Sequence, residues 1–313
     1  MSMKSKPSVE KFAVILAGGE GSRLKALTRV ILGDDRPKQF CPILNGETLL
    51  GVTRERVSLR IRPENILFSL TQQHQTFFMP LLRDVSKQQL VVQPENKGTA
   101  PAILYSLLRL AKMAPEATVA FFPSDHYFSD DEAFMDQVET ALGAVETDPH
   151  SIVLLGIEPE SPETSYGWIE PCNKLSNGLT NRTVSRVRRF WEKPSASAAD
   201  RLMEKGCLWN SFVMVGKVET FLSLIQRRLP DLSRAFTALS DTFGTPTERT
   251  TIRTLYARIS EINFSSEVLE ESANELAVMR IARVSWSDLG EPHRVIGKLK
   301  DLGVEPHWLA LAV

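Results

Sequence analysis

Cysteine is scarce, with three in 313 residues, at positions 41, 172 and 207. They are too few and too scattered for a disulfide framework or a thiolate metal site, and their odd number fits a reducing compartment. The chain therefore reads as cytoplasmic. An excess of one charge is also missing: 37 Lys and Arg against 38 Asp and Glu leave a net charge of -1. That balance gives no electrostatic footprint for nucleic acid. Arg182, Arg186, Arg188 and Arg189 lie close together without interleaved aromatics and read as a solvated strand face. No stretch reaches the roughly 18 apolar residues of a membrane span. The opening "MSMKSKPSVEK" is polar and basic with nothing apolar behind it, so residues 1–10 are expected as a flexible tail and not a signal peptide or anchor.

Several chemistries are absent too. The five histidines, at 74, 126, 150, 293 and 307, show no HExxH pattern and no ligand spacing, which argues against zinc hydrolysis. There is no GxSxG elbow and no cysteine nucleophile signature, so covalent catalysis has little support. No internal repeat or low-complexity tract occurs.

What is present is an alternation. Short apolar runs at 12–17, 65–70, 89–93, 118–123 and 151–157 read as buried strands, and stretches with helical apolar spacing, such as 99–113, lie between the first four. Strand and helix in turn predict an α/β fold with a mostly parallel sheet and helices on both faces. From about Tyr166 the texture shifts, and "YGWIEP" and "TVSRVRRFWEKP" are expected in a small subordinate sheet. Packing helices follow over 217–260, then a strand over 276–284. The residues from 293 to 313 read as a short C-terminal tail, partly helical, that leaves a homodimer open.

In a parallel sheet ligands bind beyond the carboxyl ends of the strands. "LAGGEGSRL" (16–24) falls there, directly after the first strand. Gly18, Gly19 and Gly21 let the backbone approach a ligand, and Arg23 suggests that the ligand is anionic. Two familiar phosphate loops fail. A dinucleotide fingerprint needs glycine where Leu24 stands, and a Walker A loop needs Gly-Lys-Ser/Thr where the chain has Ser22-Arg23-Leu24. In "RPKQF" (36–40), Lys38 supplies a second cation behind the stiffening Pro37. "FFPSDH" (121–126) places Asp125 just past a strand, where a carboxylate could hold Mg²⁺ against phosphates. Helix capping is the other job for such an aspartate, but Ser129 with Glu132 offers its own capping box. Asp288, in "SWSDLGEP", is a turn residue or a second metal carboxylate; His126 is the one histidine placed beside a candidate group. "FWEKP" offers Glu192 and Lys193, which by themselves could form a surface ion pair.

Taken together, "LAGGEGSRL", "RPKQF", "PENKGTAPA", "FFPSDH", "SYGWIE", "FWEKP", "LWNS" and "WSDLG" occur in the order of the sugar-nucleotide pyrophosphorylases. The chain resembles the bacterial mannose-1-phosphate guanylyltransferases over residues 11–292. The resemblance implies a Rossmann-like nucleotidyltransferase fold, divided into a nucleotide-binding part (about 11–160) and a sugar-binding part (about 161–292). It also implies Mg²⁺ as cofactor, with GTP and a manno-configured sugar 1-phosphate as substrates. Arg23 and Lys38 match triphosphate-gripping residues, Asp125 and Asp288 the metal carboxylates, and Lys193 the lysine that holds the sugar phosphate. Leu16, Ala17, Gly18, Gly19 and Gly21 would meet the nucleotide through backbone groups. Gln93, Glu95, Asn96, Gly98 and Thr99 lie on the base-facing segment, and Tyr166, Gly167, Glu170, Glu192 and Asn210 at the sugar. The chain departs from the usual pattern at Lys25-Ala26, Gly98, Phe212 and Glu291-Pro292, and its loop to Pro37 is longer. A uridylyl- or thymidylyltransferase acting on glucose 1-phosphate, and a non-catalytic nucleotide-sugar binder, are the alternatives.

Overall fold

The computed structural model describes residues 10–44, 46–172 and 184–312. The expected tail over 1–10 lies outside this set but for its last residue, as does Arg182.

The chain begins with β1 (Lys11–Leu16), α1 (Lys25–Leu32), α2 (Leu49–Ser58), β2 (Ile66–Thr71), α3 (Gln75–Leu81), β3 (Leu90–Gln93), α4 (Thr99–Met113) and β4 (Thr118–Pro123). The middle holds β5 (Tyr127–Phe128), α5 (Asp131–Thr147), β6 (Ile152–Ile157), β7 (Gly167–Pro171), β8 (Val184–Glu192), α6 (Ala196–Glu204) and β9 (Leu208–Lys217). It ends with α7 (Val218–Arg228), α8 (Pro230–Thr237), α9 (Glu248–Tyr256), β10 (Leu276–Ile281), β11 (Trp286–Ser287), α10 (Pro292–Asp301) and α11 (Leu309–Ala312).

β1 explains why helices cover both faces. Its residues alternate, Phe12 and Val14 entering one apolar cluster, Ala13 and Ile15 the other. The first cluster is completed by α4, α7, α8 and α9, the second by α2, α3, α5 and α6. Each fully buried Phe or Leu contributes about 1.5–3 kcal/mol of transfer free energy. Both faces are therefore held by core packing.

Nine of the eleven described strands form one sheet, in the order β3-β2-β1-β4-β9-β6-β10-β8-β7. The expectation of a mostly parallel sheet holds for β1 through β4 and for β6 with β10; β9, β8 and β7 run antiparallel to their neighbours. The subordinate sheet is a correction. β7 and β8 join the main sheet, and β7 also pairs with the start of β9 through Trp168 and Trp209. The change of texture that suggested a separate layer comes from β8, whose exposed Arg186, Arg188 and Arg189 interleave with buried Val187 and Phe190. A separate two-stranded ribbon does exist, made by β5 and β11.

Two local expectations also change. The N-cap of α5 is Asp130, whose carboxylate accepts from the Ala133 amide at 2.9 Å. Ser129 instead prolongs the β5–β11 ribbon, its amide donating to the Ser285 carbonyl and its hydroxyl accepting from the Ser285 amide. Beyond residue 292, where a tail was expected, Val295, Leu299 and Trp308 are buried with Leu24, Leu27 and Cys41 in a third apolar cluster. That cluster packs α10 under the glycine loop's exit.

Candidate active site

The parallel registers bring the carboxyl ends of β1, β2, β3 and β4 together: Leu16 stands opposite Ser69 and Pro123, and Thr71 opposite Gln93. The glycine loop, the segment from Gln93 to Thr99 and Asp125 thus meet at one sheet edge. The β5–β11 ribbon adds a fourth piece. Tyr127 pairs with Ser287, so Asp125, two residues before the ribbon, and Asp288, one residue after it, come to the same end.

Two adjoining cavities of about 310 and 560 Å³ occupy this edge and share Gly21, Asn96, Asp125 and Glu261. The smaller is lined by Leu16, Gly18, Gly19, Gln93, Gly98 and Thr99. Arg23, Lys38, Glu95 and Gly290 line the more polar one.

The glycine loop is fixed by its carbonyls. Gln39 Nε2 donates to Ala17 and Gly19 at 3.1 and 2.8 Å, and Thr71 Oγ1 donates to Gly18 at 2.9 Å. The loop amides from 18 to 21 have no partner among the described residues, the arrangement that suits an anion. Gly21 has φ 58°, and a Cβ there would lie 3.0 Å from the Lys38 backbone nitrogen. Gly19 has open space where a Cβ would go, so only its backbone matters to the loop.

Lys38 is buried, and its Nζ donates to the carbonyls of Asp288 and Leu289 at 2.7 and 3.1 Å while lying 3.2 Å from Asp125 Oδ2. Asp288 Oδ1 accepts from Tyr166 OH at 2.9 Å, Arg294 Nη1 at 2.8 Å and the Gly290 amide at 2.9 Å. Burial acts to raise the Asp288 pKa, but Lys38, His126 and Arg294 together outweigh it and hold the carboxyl below its usual range. His126 is largely shielded from solvent, accepts from Trp286 Nε1 at 3.2 Å, and is pushed down to about 4 mainly by that desolvation, which keeps it neutral. Burial and then the Asp288 charge raise the Tyr166 phenol. Arg23 is half exposed and pairs with Glu291 at 2.7 Å.

The segment expected to face the base is tied to the chain after α9. Gly98 has φ 83°, and a Cβ would come within 2.4 Å of the Ile262 carbonyl. The Ile262 amide donates to Lys97, the Ala100 amide to Ile262, and the Phe264 amide to Thr99 Oγ1. Gln93 is held by Tyr256 OH at 3.0 Å and Ser69 Oγ at 3.3 Å. Asn96 Oδ1 accepts from the Gly98 amide, and Glu95 lies 3.6 Å from Lys97.

The residues expected at the sugar sit on neighbouring strands β7, β8 and β9, outside the linings of both cavities. Gly167 pairs with Glu192, whose carboxyl is raised by burial. Lys193 has φ 48° and a largely exposed side chain 3.8 Å from Glu192. Glu170 lies 3.7 Å from Arg188, and Asn210 Oδ1 accepts from the Phe212 amide at 3.0 Å. Tyr166 is not confined to this group. It touches Trp209 and Trp286 edge-on and reaches Asp288, linking the two ends.

Five residues at the site carried no role in the sequence. Gln39 and Trp209 stood inside quoted motifs; the indole nitrogen of Trp209 is buried without a hydrogen-bond partner among the described residues. Glu261 and Asn263 line the smaller cavity from a loop that no motif marked. Arg294 was assigned to the tail, yet it contacts Tyr166, Asp288, Glu163 and Ser165.

No described helix is long and apolar enough to cross a membrane. The chain is 27% identical over 296 residues to the mannose-1-phosphate guanylyltransferase of Escherichia coli K12, covering 89% of this chain and 58% of that protein. It is 32% identical over 228 residues to mannose-1-phosphate guanylyltransferase 2 of Escherichia coli O157:H7, covering 70% of this chain and 46% of the relative. The chain thus spans a little over half the length of the first curated relatives it matches. A solved structure described as mannose-1-phosphate geranyltransferase from Thermus thermophilus superimposes with a TM-score of 0.77 at 31% identity, covering 92% of this chain and 79% of that one. The nucleotidyl transferase family profile matches residues 12–302, which takes in the glycine loop, both aspartates and Arg294. On that match, the chain belongs to the nucleotidyl transferase family.

Proposed function

We propose that the protein transfers a guanylyl group from GTP to mannose 1-phosphate in the cytoplasm, giving GDP-mannose and pyrophosphate. The observation that carries this reading is the meeting of Lys38, Asp125 and Asp288 beside a glycine loop with unpaired amides. A sugar-phosphate oxygen forms the new bond to the α-phosphorus, and the bond from that phosphorus to the pyrophosphate oxygen breaks. The attacking phosphate is ionised at neutral pH, so no general base is required. Catalysis is alignment and charge neutralisation.

The donor set suits Mg²⁺, which takes one or two carboxylates plus substrate phosphates. Asp125 and the Asp288 oxygen not engaged by Tyr166 and Arg294 would hold it, and when bound it supplies positive charge to the phosphates. Lys38 keeps the two carboxylates at one place, and Arg23 reaches the triphosphate after leaving Glu291. Lys193, exposed and free to reorient, takes the sugar phosphate. Glu170, Glu192 and Asn210 present acceptors to sugar hydroxyls. The larger family resemblance to mannose-1-phosphate guanylyltransferases supports the choice of base and sugar.

Pyrophosphate release should be measured with GTP, UTP, dTTP, CTP and ATP against mannose and glucose 1-phosphates, with and without Mg²⁺. Release with GTP and mannose 1-phosphate is expected. Release confined to UTP or dTTP with glucose 1-phosphate would replace the assigned substrates, and nucleotide-sugar binding without turnover would make the protein a sensor.

A further inference from the structure

A further cavity of about 700 Å³ opens at the β3 edge of the sheet, away from both cavities of the active site. Its wall includes Phe78, Leu90, Val92 and Ile252, and its charged groups are mostly basic: Lys87, Arg109, Arg249 and Arg253. One carboxylate faces them, Glu248, and it is already engaged. Its Oε1 accepts from Arg109 at 2.7 Å and Tyr105 OH at 2.5 Å, and its Oε2 from the Gly244 amide at 2.7 Å. Lys87, Arg249 and Arg253 are exposed and have no ion pair among the described residues. The cavity is of ligand size, apolar in its floor and left with uncompensated positive charge.

Helix α9 connects it to the nucleotide end. Arg249, Ile252 and Arg253 face the cavity, while Tyr256, one turn on, donates to Gln93 in the other pocket. The chain leaving α9 then carries Ile262 onto Gly98 and places Glu261 and Asn263 in the nucleotide cavity. A ligand that draws Arg249 and Arg253 together acts on a helix whose far end fixes the base-facing segment.

We infer that this cavity is a second site, for a small organic anion with an apolar body, and that its occupancy alters nucleotide affinity through α9. The coupling rests on the nucleotide reading above; the anion site does not.

The full chain is titrated with 8-anilinonaphthalene-1-sulfonate, followed by fluorescence, in wild type, in R249E/R253E and in K38A. Saturable binding is expected in wild type and K38A, weakened by about tenfold or more in R249E/R253E. Equal affinity in the folded charge-reversed variant overturns the site. Should that variant fail to fold, R249Q/R253Q replaces it, with at least a threefold loss expected. GTP affinity, read by calorimetry with and without saturating probe, should change by about fivefold, and Y256F should remove the change while keeping the probe bound. An unchanged GTP affinity overturns the coupling. A chain that binds the probe and not GTP overturns the nucleotide reading and the coupling with it, and leaves the anion site standing.

Discussion

The two ends of the candidate site are built differently. At the end proposed for the phosphates, Lys38, Asp288, Tyr166 and Arg294 are interlocked: Lys38 Nζ, Asp288 Oδ1, Tyr166 OH and Arg294 Nη1 each meet two or three partners. At the end proposed for the sugar, Lys193 and Glu170 reach only one opposite charge each among the described residues, at 3.8 and 3.7 Å, and the Trp209 indole nitrogen has no partner there. Preorganised charge is worth most where charge moves during a reaction. Loose polar groups can instead be completed by a substrate's hydroxyls. The braced end therefore fits the chemistry common to a family, and the loose end the choice of sugar.

The strongest way to break this contrast is Asp125→Asn. Turnover should fall by about 10²–10³-fold, with a normal far-UV spectrum and a cooperative urea transition, because Asp130 and not Asp125 caps α5. Wild-type turnover would remove Asp125 from the metal site. Next is Arg294→Met, which leaves the largely buried Asp288 carboxylate short of one of its cations. Urea unfolding should show a loss of about 3 kcal/mol, together with weaker turnover; a neutral result would mean that the bracing is incidental. Lys193→Ala tests the other end. It should raise the KM for the sugar 1-phosphate about tenfold and leave unfolding free energy within about 0.5 kcal/mol of wild type. The smallest effect is expected from Glu291→Gln, which frees Arg23: a KM for the nucleotide lower by about threefold, consistent with an exposed pair worth under about 1 kcal/mol. An increase would show that Glu291 orients Arg23 for its ligand.

Much of the fold was legible because burial imposes periodicity. The helix over 99–113 and the strands ending at Leu16, Gln93 and Pro123 could be read from apolar spacing, and the family's motifs then fell at their ends. What escaped was long-range pairing. The place of β7 and β8 in the main sheet depends on β9 serving β4, β6 and β7 along ten residues, which no local pattern encodes. Gln39 works by reaching carbonyls 20 and 22 positions back, and a side chain that serves the backbone has no chemical signature. Arg294 sat in a stretch read as a tail because a ten-residue amphipathic helix does not announce what it covers.

Gly290 matters through having no side chain. A Cβ there would stand 2.2 Å from Asp288 Oδ2, so the strain would fall on a carboxylate able to swing aside and not on the backbone. Alanine at 290 would then mis-aim Asp288 while leaving the backbone of the loop in place. In a mutational scan that reads abundance and activity separately, residue 290 would score as a catalytic aspartate does, although it has no side chain of its own to offer a substrate.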